Sequence, residues 1–191
     1  AKIQTRLDFL RRALAMMQGL LSSSDFGAIS AALDEYDDLP GECKEAWLLL
    51  VDRCNLLVDR ANDALVEHLR SDDISSIDRV LGQYGEYKDA VEDAFGALET
   101  HRDQLVRQRN VAVLELTGLL DSPDPKVVTS AISKYEMHSD SLVITARNTL
   151  ATHFDEMVSG ARSALERSAL HGSINDMEQE LERYKDYSHV L

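Results

Sequence analysis

The chain has 191 residues, of which 34 are Asp or Glu and 20 are Lys or Arg, so its formal net charge is −14. Its apolar fraction of 44% is enough for a continuous core, and its excess of Leu and Ala over β-branched residues favours helices over sheet. These values exclude collagen-like, disulfide-scaffold and transmembrane classes. The acidic balance also argues against nucleic acid and an anionic membrane surface as partners, because phosphates are bound by concentrated Lys and Arg.

The first 21 residues form the only net-positive stretch, in which Lys2, Arg6, Arg11 and Arg12 outnumber Asp8. A basic amphipathic segment of this kind can be a calmodulin-type target helix. The favoured interpretation is one more scaffold helix, because Gly19-Leu20-Leu21 matches Gly118-Leu119-Leu120 and marks residues 1–21 as the tail of a long helix. The start at Ala1 without Met suggests an excised fragment of a longer chain.

An apolar residue, followed four positions later by Leu or Ile and three positions after that by Tyr, occurs four times. The four triplets are Ile29-Leu33-Tyr36, Ile77-Leu81-Tyr84, Val128-Ile132-Tyr135 and Met177-Leu181-Tyr184. Their first members are 48, 51 and 49 residues apart, and a polar turn precedes each triplet. The sequence therefore predicts an internal repeat with a period of about 49 residues.

Each polar turn is also predicted to start a short amphipathic helix of about 12 to 14 residues. Ser22 with Asp25, and Ser173 with Asp176, have the spacing of a capping box. In the third turn, which contains Pro123, Asp124-Pro125 combines a good N-cap with Pro at the first helical position. The caps and the triplets together predict a short helix that ends near each Tyr.

A longer helix of about 25 to 30 residues is expected after each complete short helix, on the evidence of apolar stripes that begin at Ala46, Val91 and Leu142. The break between short and long helix is clear only at Leu39-Pro40-Gly41. In the second and third repeats the two helices could be continuous.

The predicted fold is all-α, with repeated unequal helical hairpins that form an elongated helical array or, as the main alternative, a spectrin-like rod of three-helix bundles. The predicted divisions are the tail 1–21, the repeats 22–70, 71–120 and 121–170, and a partial repeat 171–191, within a single array over 1–191. The pattern is similar to helical repeat arrays in general and identifies no particular family.

Five aromatic residues are the candidate protein-contact residues: Tyr36, Tyr84, Tyr135, Tyr184 and Trp47. The four tyrosines could form a recurring ligand stripe, although their helical spacing from apolar residues favours packing at the edge of the core. Trp47 is most simply a core anchor, and an interface hot spot is the alternative.

No catalytic, cofactor-binding or metal-binding residue is predicted. The six histidines include no pair at i, i+3 or i+4, and no nucleotide-binding or nucleophile-elbow motif occurs. Cys43 and Cys54 lie on one predicted helix, about 16 Å apart along its axis, which is too far for a disulfide. This cysteine usage favours a reducing, cytoplasmic setting.

Two functions from different classes follow. The first is a non-catalytic structural or scaffold segment of a larger intracellular protein, with a cytoskeletal one as an option, which presents an acidic surface to other proteins and is compatible with self-association. The alternative is a helical-bundle enzyme or small-ligand-binding protein with a site built from scattered residues. The polar intruders in the predicted core stripes, mainly Arg102 and Arg109, are too few to make such a site.

Overall fold

A computed structural model describes residues 2–122 and 124–188 of the chain. In these ranges the secondary structure consists of eight α-helices, two short 3-10 helices and no strand, so the all-α prediction is confirmed. None of the helices in these ranges has the length and apolar character needed to span a membrane. Parts of the sequence predictions fall on Ala1, Pro123 and residues 189–191, which lie outside the described residues.

Long and short helices alternate along the chain. The long ones are α1 (Lys2–Leu20), α3 (Glu42–His68), α5 (Glu92–Gly118) and α7 (Ser141–His171). The short ones are α2 (Phe26–Glu35), α4 (Ile74–Gln83), α6 (Pro125–Lys134) and α8 (Ile174–Arg183), and 3-10 helices follow at Gly85–Tyr87 and Lys185–Tyr187. Each short helix has 10 residues, somewhat fewer than the sequence predicted.

The short helices begin at side-chain caps that satisfy backbone N–H groups of the first turn. The cap residues are Asp25, Asp73, Asp124 and Ser173. The capping box of Ser173 with Asp176 is confirmed, and so is the cap at Asp124 with Pro125 in the first turn. Local sequence therefore determines where all four helices start.

The predicted capping box at Ser22 is wrong. Asp25 is itself the cap of α2, and its carboxylate accepts a hydrogen bond from the Ala28 N–H at 2.9 Å. The Ser22 hydroxyl instead donates to the Gly19 carbonyl at 3.4 Å, within the turn that ends α1. Because the Ser22 hydroxyl is bonded to the preceding turn, it does not cap α2, and the Asp25 carboxylate takes that role.

Every short helix that is followed by a long one is separated from it by a break. Gly41, at φ +64°, is the N-cap of α3, and it is the position of the first break that the sequence predicted. The Gly85–Tyr87 3-10 helix and the turn after it separate α4 from α5, and Asp140 caps α7 through a 2.9 Å bond from the Leu142 N–H.

Two compact units make up the chain, Ala1–Asp103 and Gln104–Leu191, and the boundary between them falls inside α5. In the first unit α1 packs against α3, and α2 packs against both. Cys43 Sγ lies 3.5 Å from the Leu10 carbonyl, and Arg53 bonds the Ser23 carbonyl just beyond the end of α1. Because these contacts occur in the same order along both segments, α1 and α3 run parallel.

Fully buried aliphatic side chains form the centre of the first unit, and they include Met17, Ile29, Leu50, Leu65, Ile77 and Leu98. The core of the second unit comprises Ala112, Leu116, Val128, Ala131, Val143, Ala146, Leu150, Phe154 and Tyr187. The core stripe of α7 begins at Val143, one residue later than predicted, because Leu142 is 54% exposed whereas Val143 is fully buried. One residue corresponds to about 100° around a helix, which is enough to turn a side chain from core to solvent.

Candidate interaction surfaces

The four repeated tyrosines share one backbone role. Each is the C-cap of a short helix, and its N–H donates to the carbonyl four residues earlier. Their φ values lie between −116° and −105° and their ψ values between 16° and 18°. The four tyrosines therefore have the same backbone conformation at the ends of their helices.

The ring of Tyr36 is packed inside the first unit. It is buried, it meets Phe9 edge to face at 6.3 Å between centroids, and its hydroxyl lies 3.5 Å from Met16 Sδ. Burial is the main reason that the pKa of Tyr36 is raised. Tyr36 thus joins α2 to α1.

Tyr84 lies in a different aromatic cluster of the first unit. Its ring contacts Tyr87 edge to face at 5.7 Å, and Tyr87 in turn stacks on Phe26 at 4.3 Å. Tyr87 is buried, and its burial raises the pKa of the phenol. The cluster packs the 3-10 helix after α4 against the start of α2.

In the second unit Tyr135 takes part in a small polar network. Its hydroxyl donates to Glu115 Oε2 at 2.7 Å, and Lys134 Nζ lies 2.7 Å from the same oxygen. These bonds, that from Lys134 first, lower the pKa of Glu115. The partly exposed network ties the end of α6 to α5.

Tyr184 is half-buried and meets Tyr187 edge to face at 6.0 Å. The Tyr187 hydroxyl lies 3.9 Å from Met157 Sδ in α7. Each repeated tyrosine therefore has a ring partner of its own, and none of these pairs joins one repeated tyrosine to another. Their role in contacts with other proteins remains a prediction.

Trp47 is half-buried and connects α3 to the end of α2. Its indole Nε1 donates to the Leu33 carbonyl at 2.9 Å, and Lys44 Nζ lies 3.9 Å from the ring centroid. The carbonyl is one of the four that a helix C-terminus leaves without an intrahelical partner. These contacts are those of an anchor, and a role for Trp47 in an interface with another protein remains a prediction.

A repeated Ser-x-Asp loop precedes three of the short helices, and the sequence analysis did not single it out. Its members are Ser23-Ser24-Asp25, Ser71-Asp72-Asp73 and Ser122-Pro123-Asp124, and in each the serine hydroxyl accepts a bond from the Asp N–H. Arg53 Nη2 donates to the Ser23 carbonyl at 2.7 Å, and His101 Nε2 lies 2.9 Å from the Ser71 carbonyl. The recurring Ser-x-Asp spacing was the signal that could have identified this loop.

A second feature that the sequence analysis missed is an acidic–apolar stripe on α3, defined here as Leu49, Asp52, Leu56, Asp59 and Asp63. All five side chains are exposed, and their alternating steps of three and four residues place them on one face of the helix. The core stripe of α3 lies on another face. A contiguous exposed apolar patch is typical of surfaces that contact other proteins.

An open groove of about 710 Å³ lies in the second unit. It is formed by one face of α7, which contributes Thr149, Thr152, His153 and Glu156, and by Leu120 and Asp121 from the loop after α5. The Thr149 and Thr152 hydroxyls bond carbonyls one turn earlier in α7, so they are already engaged. Within the described residues no group of three His, Cys, Asp or Glu side chains could hold a metal ion.

Comparison of the chain with protein-family models, with curated proteins and with solved structures found no match.

Proposed function

We propose that this chain is a non-catalytic scaffold segment of a larger intracellular protein and that it binds other proteins through helix faces. The observation that carries the proposal is the acidic–apolar stripe of α3, where leucines alternate with carboxylates at the surface. Removing leucine side chains from water is favourable, so a partner that covers these leucines would bind more tightly.

The chemistry of the stripe indicates the kind of partner. A basic amphipathic helix would place apolar side chains against Leu49 and Leu56 and ammonium or guanidinium groups beside Asp52, Asp59 and Asp63. The net charge of −14 would speed the approach of such a partner by long-range attraction.

The architecture supports the same proposal. Short helices of equal length, with the same C-terminal tyrosine and equivalent N-caps, are what repeated unequal hairpins require. Helical repeats of this kind present helix faces in succession and commonly serve as binding surfaces. A cytoskeletal parent protein is one setting in which such a segment would serve.

The test compares the proteins retained from cell extract by three purified chains: the natural one, the Leu49→Gln/Leu56→Gln variant and the Met137→Gln control. Met137 is 93% exposed and lies in the second unit, so its substitution should change nothing. A partner that the natural chain and the control retain, that the stripe variant loses, and that binds again when purified would support the proposal. Identical profiles for all three chains would refute it.

A second candidate function is binding of a small polar ligand in the groove of α7. The groove combines His153, Glu156 and Asp121 in an open volume, which is the specific observation in its favour. A ligand would shift the imidazole NMR signals of His153. Screening small hydroxylated and cationic compounds by that shift, with His153→Gln to assign the signal, would test this function.

A further inference from the structure

A second exposed stripe lies on α5, in the interior of the chain. This α5 stripe is defined by five exposed residues, Gln104, Arg107, Val111, Leu114 and Gly118. Val111 is 61% exposed and Leu114 is 70% exposed, more than any large apolar residue of α3. Another face of the same helix segment is covered, since Ala112 and Leu116 belong to the core of the second unit. The α5 stripe is therefore an uncovered surface of a packed helix.

The helices on either side of α3 and of α5 along the chain are already packed in place. In the first unit α3 packs against α1, α2 and α4. Helix α5 is joined to α4 by a bond of 2.8 Å between Arg102 and Asp78, and to α6 by a bond of 2.7 Å between Lys134 and Glu115. These neighbours leave both the α3 stripe and the α5 stripe exposed.

The two stripes differ in charge. Residues 104–114 of α5 include Arg107 and Arg109 and no Asp or Glu, although the whole chain has a net charge of −14. The α3 stripe has three carboxylates and no basic residue. Two α3 stripes would therefore repel each other, whereas an α3 stripe and an α5 stripe attract.

The two stripes also have the same spacing. Each advances along its helix by three, four, three and four residues, so each spans about 21 Å. Helices that lie side by side bring such stripes together along their whole length. In a parallel pair in register, Leu56 would pack on Val111 and Asp52 would lie beside Arg107.

We propose that the α3 stripe of one copy of this chain docks on the α5 stripe of a second copy. The inference rests on the proposed function and deepens it, because α5 is a basic amphipathic helix of the kind that the α3 stripe would bind. The contact is heterologous, since it joins two different patches. This property separates it from a contact made by two α3 stripes or by two α5 stripes.

The test uses sedimentation velocity on the purified chain over a series of concentrations. The average mass of the natural chain should rise with concentration and fall when salt is added, because the charges are exposed. Leu49→Gln/Leu56→Gln and Val111→Gln/Leu114→Gln should each give monomers. Met137→Gln, an exposed site outside both stripes, should behave like the natural chain.

Mixing the two blocked variants gives the deciding result. Each variant retains the stripe that the other has lost, so an equimolar mixture should form a dimer and nothing larger. A monomeric mixture, a natural chain that stays monomeric at every concentration, or association blocked by only one of the two variants would each overturn the proposal.

Charge reversal provides an independent test if a glutamine variant loses helicity by circular dichroism. Arg107→Glu should weaken association about tenfold. Lys126→Glu, at an exposed site of α6, makes the same change in net charge and should not weaken it. Asp52 would lie beside Arg107 in a parallel pair and Asp63 in an antiparallel pair. Arg107→Glu mixed with Asp52→Arg or with Asp63→Arg should therefore recover association in one of the two mixtures, and no recovery in either would refute the proposal.

The α5 variants also separate this inference from the proposed function. Val111→Gln/Leu114→Gln leaves the α3 stripe unchanged, so it should still retain any partner that the natural chain retains from extract through that stripe. A natural chain that is monomeric throughout, yet retains a partner through the α3 stripe, would overturn the self-association alone.

Discussion

The strongest test of the core is the substitution of Leu150 by Ala. Leu150 is fully buried in the second unit and belongs to the cluster formed by α5, α6 and α7. The change removes three carbon atoms, worth about 0.8 kcal/mol each in transfer free energy. Because the cavity left behind adds to this loss, the free energy of unfolding should fall by about 3 to 5 kcal/mol.

The same helix supplies the matched control, since Leu142 is a leucine of α7 that is 54% exposed. Leu142→Ala should lower the free energy of unfolding by about 0.5 kcal/mol or less, as substitutions at other surface sites do. Urea denaturation followed by far-ultraviolet circular dichroism measures both losses. Equal losses for the two variants would show that the assignment of core and surface on α7 is wrong.

Three further predictions concern polar contacts. Asp73→Ala should lower the free energy of unfolding by about 1 kcal/mol through loss of the α4 cap, and Asp72→Ala, next to it, should have little effect in the same urea titration. Arg53→Ala should lower the free energy of unfolding by about 1 to 2 kcal/mol, because Nε and Nη2 both donate to the Ser23 carbonyl. Arg53→Lys should recover only part of that loss, because an ammonium lacks the two-pronged guanidinium. Full recovery by lysine would contradict a role for the guanidinium. Glu115→Gln should lower the free energy of unfolding by about 1 kcal/mol at neutral pH, because it removes the charged partner of Lys134 and Tyr135. Since the pKa of Glu115 is lowered in the folded chain, this stabilisation is present above the ordinary value of 4.5 and is lost as the pH falls through the lowered pKa; a loss that is equally large in acid would refute the argument.

Much of the fold follows from local sequence, because the signals that define it are short-range. Asp124-Pro125 and Ser173 predict helix starts correctly, and the glycine of Leu39-Pro40-Gly41 is the cap of the next helix. The all-helical class follows from composition and periodicity. Cys43 and Cys54 are indeed free on one helix, as their separation required.

The details that depend on packing were harder to predict. Leu81 and Ile132 have the spacing of core residues, yet they are half-buried, whereas Ile77 and Val128 one turn earlier are fully buried. Periodicity identifies a helix face about 100° wide, but neighbouring helices decide which part of that face is covered.

The position of Trp47 has a practical consequence. It is the only tryptophan in the chain, it lies in the first unit, and its indole bonds the end of α2 while a lysine ammonium lies over the ring. Its intrinsic fluorescence is therefore a built-in reporter of the first unit, whereas the backbone signal averages over all helices. Trp47 fluorescence and circular dichroism, followed during one denaturation, would show how many cooperative unfolding units the chain has. Coincident unfolding curves would indicate one unit, and separated curves at least two.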